Sequence, residues 1–103
     1  MLELSAAEKT LVREILARHV PGIEVRAFGS RTLGKARPRS DLDLLLMGEQ
    51  PLPLRILGDL REAFQESDLL FRVDLVEWRE LSPALRASLA TSWEVIQIPS
   101  RAA

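Results

Sequence analysis

The sequence predicts an α/β domain in which helices pack against a small mixed β-sheet. Three observations lead there. Apolar residues at helical spacing alternate along the chain with short β-branched and leucine-rich runs, in the order α-β-β-α-β-α, with a short candidate strand at the end. A chain of 103 residues that is 47% apolar has material for one core, and its 28% charged content provides an ordinary polar surface. The link between the first two strands admits an antiparallel pair, and the helix after the second is long enough for a parallel crossover.

Each element has a local cause. Ser5 followed by Glu8 fits a capping box, in which each side chain satisfies a free amide at the helix start. Leu11, Val12, Ile15 and Leu16 then recur at helical spacing and form one buried stripe. Pro21-Gly22 stops this helix, leaving His19 in the last turn, a surface position that the helix dipole favours. From Ile23 to Phe28 a strand is expected, with Ile23, Val25 and Ala27 alternating against Glu24 and Arg26. Gly29 to Ser40 holds two glycines, a proline and four basic residues, and reads as a loop.

Asp41 to Met47 is the second strand, its near-continuous apolar end suggesting burial on both faces. After a turn over Gly48–Pro53, Leu54, Leu57, Leu60 and Phe64 mark a second helix ending near Ser67. Phe71 to Val76 is the third strand. Ser82-Pro83 has the form of a helix start, serine as cap and proline at the first position, for a helix running to about Thr91. Val95 to Ile98 is the candidate last strand. Residues 1–99 are expected to form a single domain and residues 100–103 a frayed tail.

Composition narrows the function. Fourteen basic against fifteen acidic residues leave a formal charge of −1, so no global basic field draws the chain onto nucleic acid. The longest wholly apolar run, Leu44 to Met47, is far too short to span a bilayer, so no membrane role is expected. The amino terminus lacks the basic and apolar regions of a secretory signal. Without cysteine there are no disulfides or thiolate metal sites, and a reducing cytoplasm is the natural location. One histidine cannot build the usual zinc constellations, so any metal is expected on carboxylates, which favours magnesium. A domain this small can hold one ligand site but not grip a large co-substrate. An acceptor is therefore expected to arrive on its own binding surface, as on a partner protein.

The chemistry concentrates in Gly29-Ser30, a ten-residue interval, and Asp41-Leu42-Asp43. Carboxylates at i and i+2 on a strand share one face. Two like charges held together are costly unless a cation sits between them, and magnesium commonly takes one or two carboxylates plus substrate phosphates. Gly29 lets a phosphate approach the backbone, and Ser30 offers a hydroxyl and an amide. Arg31, Lys35, Arg37 and Arg39 crowd the same loop and could neutralise a triphosphate. Asp74 is the lone acid in an otherwise apolar third strand, and such a carboxylate needs a partner. Three carboxylates on neighbouring strands could hold two magnesium ions about 4 Å apart, the arrangement used in phosphoryl chemistry. By average composition this spacing arises by chance in about one chain per thousand of this length.

The segment Gly29 to Leu44, GSRTLGKARPRSDLDL, resembles the signature of the DNA polymerase beta-like nucleotidyltransferases. More narrowly, it is similar to the minimal nucleotidyltransferase antitoxins of HEPN/MNT toxin–antitoxin pairs. The resemblance covers nearly the whole chain. It implies the minimal nucleotidyltransferase fold and metal-dependent transfer of AMP from ATP, with two magnesium ions. Gly29 and Ser30 then correspond to the nucleotide-gripping pair, with Arg31 or a neighbour screening charge. Asp41 and Asp43 correspond to the metal-binding carboxylates, and Asp74 to the third acid, as metal ligand or proton acceptor. The resemblance further implies a HEPN-type toxin as partner, its tyrosine hydroxyl as acceptor, and possible assembly with it. Two alternatives differ in class: a transferase acting on a small molecule such as an aminoglycoside, and a non-catalytic module that occludes its partner. Trp78 and Trp93 are expected in core or half-buried packing, Glu77 at a solvated strand end, and Arg55, Arg61, Arg72, Arg79 and Arg86 on solvated faces.

Overall fold

The computed structural model describes residues 2–29, 31–34, 37 and 39–99. The expectations for Ser30, Lys35 and the 100–103 tail lie outside the described residues. The chain runs α1 (Ala6–His19), β1 (Val25–Phe28), β2 (Leu42–Leu46), α2 (Leu54–Gln65), β3 (Val73–Glu77), a single 3-10 turn over Trp78–Glu80, α3 (Pro83–Leu89) and β4 (Glu94–Gln97). The four strands form one sheet in the order β3-β2-β1-β4. β1 lies antiparallel to both β2 and β4, with a register irregularity between Val25 and Arg26 on the β4 side. β2 and β3 are parallel, joined through α2.

Local chemistry explains the boundaries. The expected capping box is present: the Ser5 hydroxyl accepts from the Glu8 amide, and the Glu8 carboxylate accepts from the Ser5 amide. Ser82 caps α3 by accepting from the Leu85 amide, with Pro83 at the first helical position. The strands are shorter than the apolar runs that announce them. Ile23 sits in the turn before β1, and Phe71 packs into the core from the segment before β3. Leu54 does not join the α2 stripe. It is 86% exposed at the first position of the helix, ahead of the turn that meets the sheet, whereas Leu57, Leu60 and Phe64 are buried.

The sheet has two unlike faces. Leu42, Leu44 and Leu46 of β2 face α1 and α2 and pack with Val25, Ala27, Ile96, Val12, Leu16, Leu60 and Phe64. Burying each such side chain contributes about 1.5–3 kcal/mol. Alternation turns Asp43 and Leu45 to the opposite face, along with Arg26 and Phe28 of β1 and Asp74 of β3. Leu45 is also fully buried, although it lies outside the helix-side cluster. On its side of the sheet Arg26 stacks over Trp93 at 4.1 Å and pairs with Glu24. Trp93 meets Trp78 with ring centroids 5.3 Å apart, and Arg86 covers Trp78 at 4.9 Å. This half-buried Arg–Trp–Trp–Arg stack fulfils the packing expected of the two tryptophans and leaves the carboxylate end of that face open.

Candidate active site

The turn after β1 builds one wall of the site. Gly29 ends the strand at φ +88°, a backbone region that L side chains rarely adopt. Its carbonyl accepts from both the amide and the hydroxyl of Thr32, at 3.0 and 2.9 Å, which closes the turn. A β-carbon at Gly29 would overlap Oδ2 of Asp43 outright and stand 3.3 Å from its Cγ. The glycine is therefore required twice, by its backbone and by the carboxylate beside it.

Register supplies the other walls. Phe28 of β1 is opposite Asp43 of β2, and Asp43 is the in-register neighbour of Asp74 on β3. The two carboxylates therefore sit side by side on the helix-free face. Asp41 immediately precedes β2 and joins them through Arg72, a residue that its sequence context had placed on a solvated face. The Arg72 guanidinium lies 3.1 Å from Oδ2 of Asp41 and 3.6 Å from Oδ1 of Asp74, while its side chain stays 74% exposed. A cation already occupies the gap between two of the three acids. Its signal was available: Arg72 lies two residues before Asp74, so an extended backbone puts both on one face.

The charges register this crowding. Burial raises the Asp43 carboxyl above the usual carboxylate range, and the charges of Asp74 and Asp41 add to that, against the opposing pull of Arg72. The hydrogen bond and charge of Asp41, then the charge of Asp74, push Arg72 upward in turn. Among the described residues no three acidic or imidazole groups converge as a ready-made metal cage. What is present is an in-register carboxylate pair with a third acid reached through a mobile-length cationic side chain. That donor set suits magnesium completed by phosphate oxygens better than an all-protein cage.

Arg86, expected on a solvated face, instead covers Trp78 and donates to its carbonyl at 3.2 Å, and two residues nearer the site also depart from expectation. Arg31 does not face outward as a phosphate screen; it is 4% exposed. Its Nε donates to Ser40 O at 2.9 Å, Nη1 to Glu3 O at 2.8 Å and Nη2 to Arg37 O at 3.4 Å, and its guanidinium lies 4.0 Å over the Phe71 ring. It ties the loop to the amino-terminal segment and to the approach to β3, because a guanidinium can donate to several carbonyls at once. Glu77 is likewise not a solvated strand end. Its side chain is 12% exposed, accepts from the Leu52 amide at 3.1 Å and pairs with Arg79 at 3.6 Å. It lies at the far end of β3 from Asp74. Arg37 and Arg39 remain exposed on the loop.

A cleft of about 820 Å³ opens beside Asp43, Arg72 and Asp74 and extends along β3 to Arg61 and Val76. No helix of the described residues is long and apolar enough to cross a membrane.

The sequence profile of the nucleotidyltransferase domain matches residues 9–95. The probable protein adenylyltransferase MntA of Haemophilus influenzae is 44% identical over 96 residues, covering 93% of this chain and 84% of that protein. A solved structure taken to be a minimal nucleotidyltransferase superposes with a TM-score of 0.65 at 39% identity, over 85% of this chain and 88% of the other. The fold also matches a solved complex of tri-AMPylated Shewanella oneidensis HEPN toxin with MNT antitoxin, with a TM-score of 0.61 at 20% identity, over 90% of this chain and 74% of the other.

Proposed function

The chain belongs to the nucleotidyltransferase domain family, and from that premise we propose that it moves AMP from ATP to a tyrosine hydroxyl of a HEPN-type toxin and so acts as its antitoxin. The observation that carries this reading is the in-register Asp43–Asp74 pair beside the Gly29 turn, with Arg72 held between Asp41 and Asp74 where a cation belongs. The relative's adenylyltransferase name and the AMPylated HEPN toxin in the matched complex support the same substrate and partner. The open cleft favours a protein acceptor over an enclosed small molecule, and the cytoplasm is where ATP and such a partner meet.

In this reading Gly29 and Ser30 receive the triphosphate, the glycine because no side chain stands between backbone and phosphate. Asp41 and Asp43 would hold magnesium, with Asp74 shared between the metal and the acceptor. The bound metal would supply charge neutralisation on the phosphates and on departing pyrophosphate. Asp74 orients the acceptor hydroxyl and takes its proton as the new oxygen–phosphorus bond forms at the α-phosphate and the bond to the β-phosphate breaks. Arg31 serves indirectly, by fixing the loop that carries Gly29. Catalysis of this kind is chiefly positioning and electrostatics.

The test is to incubate the chain with a HEPN-type partner, ATP and magnesium, and to weigh the partner by mass spectrometry. A gain of whole AMP units on a tyrosine-containing peptide, absent with Asp43→Asn, is expected. An unmodified partner that the chain still inhibits would instead establish occlusion.

A further inference from the structure

We infer that the acceptor-bearing segment of the partner docks as an added β-strand along the outer edge of β3. This rests on the transfer reading above and extends it to how the acceptor is recognised. β3 is an edge strand. The Leu42 amide donates to Arg72 O at 2.9 Å, which fixes the phase of the parallel ladder. Arg72, Asp74 and Val76 thus turn their main-chain groups towards β2, and Val73 and Leu75 turn theirs outward. Among the described residues, nothing outside the sheet bonds to those outward groups.

The opposite edge is guarded: on β4 the Ile96 carbonyl accepts from Arg13 Nε at 3.1 Å. An uncovered apolar strand edge is a pairing template that proteins normally blunt.

The space along β3 has the matching shape. The cleft at the carboxylates shares Arg61, Leu75 and Val76 with a second one of about 400 Å³ that continues to Leu54, Glu77 and Glu80. Together they make one trench along the strand edge. One end opens on Asp43, Asp74 and Arg72; the other is flanked by Leu54, 86% exposed. An extended peptide lying there would hydrogen-bond the outward groups of Val73 and Leu75 and bring a side chain of its own to Asp74. Charge adds to it: Arg61, exposed on α2 and lining both clefts, favours an acidic residue of the peptide midway along the trench.

The experiment is amide hydrogen exchange on the full chain, alone and with a HEPN-type partner, beside a transfer assay. Expected is at least tenfold slower exchange at Val73 and Leu75 on partner addition, with β4 amides unchanged. Leu75→Pro, which deletes one outward donor on an edge strand that tolerates proline, should raise the KM for the partner at least tenfold while MgATP still raises the melting temperature normally. Arg61→Glu, an exposed helix substitution that leaves the fold undisturbed, should weaken the partner in the same direction. Protection at β4 instead, or normal transfer by both variants, would overturn the strand-addition inference while leaving the transfer reading intact. Concentration-dependent protection of β3 in the chain alone would also overturn it, assigning the edge to a second copy. Absence of any transfer by the wild-type chain would defeat the underlying reading instead.

Discussion

Gly29→Ala separates the two demands made on one residue. The φ of +88° costs a β-carbon-bearing residue about 1–2 kcal/mol. The added carbon overlaps Oδ2 of Asp43, and its three nearest neighbours all belong to that one side chain. Asp43 can rotate away, so the fold survives, but the carboxylate leaves its place beside Asp74. For a domain of this size, 1 kcal/mol moves the melting temperature by about 4–8 °C, so a fall of about 5–15 °C is expected. A carboxylate displaced by an ångström lowers transfer at least about 100-fold. Gly58→Ala is the control. Gly58 lies within α2 with nothing within 4 Å of its added carbon, so that change should stabilise by about 1 kcal/mol and leave transfer unchanged. Thermal melts and AMP incorporation measure both. If Gly29→Ala melts lower yet transfers within about threefold of wild type, Asp43 does not need the position assigned to it.

Four further outcomes follow from the site. In chelator, the raised Asp43 carboxyl contributes stability that is fully present below its ordinary value of 3.8 and is lost as pH rises through its folded value; Asp43→Asn should therefore melt higher than wild type at neutral pH, by a margin that grows from about pH 4 upward, and a pH-independent margin would contradict this. Asp41→Asn should show no such gain, because its carboxylate is already paired with Arg72. Arg72→Met removes the cation between Asp41 and Asp74, so manganese binding followed by paramagnetic relaxation without nucleotide should tighten by up to about fivefold and lose that advantage in high salt. Weaker binding would show Arg72 supporting the metal rather than competing with it. Arg31→Met breaks three carbonyl contacts and the stack on Phe71, and should cost about 3 kcal/mol in urea unfolding; a loss under 1 kcal/mol would show that the loop holds without it.

The elements were legible where local chemistry sets them. The Ser5–Glu8 box and the Ser82-Pro83 start act within one helical turn, and the leucines of β2 carry their burial in their own spacing. The face taken by Asp43 was readable for the same reason, since it alternates with buried Leu42 and Leu44, whereas Asp41, expected on the same strand, lies just before β2. The pairing of Asp43 with Asp74 depended on the parallel crossover through α2, which the helix length allowed but did not compel. Spacing puts Arg72 on the face of Asp74, but it could not show which cations reach the other carboxylates. Arg31 lies nearest the motif along the chain, yet the carbonyls of Glu3, Ser40 and Arg37 draw it inward. Arg72 looked like ordinary surface, and only the register of β3 against β2 brings it to Asp41. The same long-range geometry turned Glu77 inward onto the Leu52 amide.

The most direct test of AMP transfer compares ATP labelled at the α-phosphate with ATP labelled at the γ-phosphate, with magnesium and a HEPN-type partner, and Asp41→Asn run alongside. The account predicts a partner band labelled from the α position only and lost in the variant. Label from the γ position would mean phosphoryl rather than nucleotidyl transfer and would contradict it.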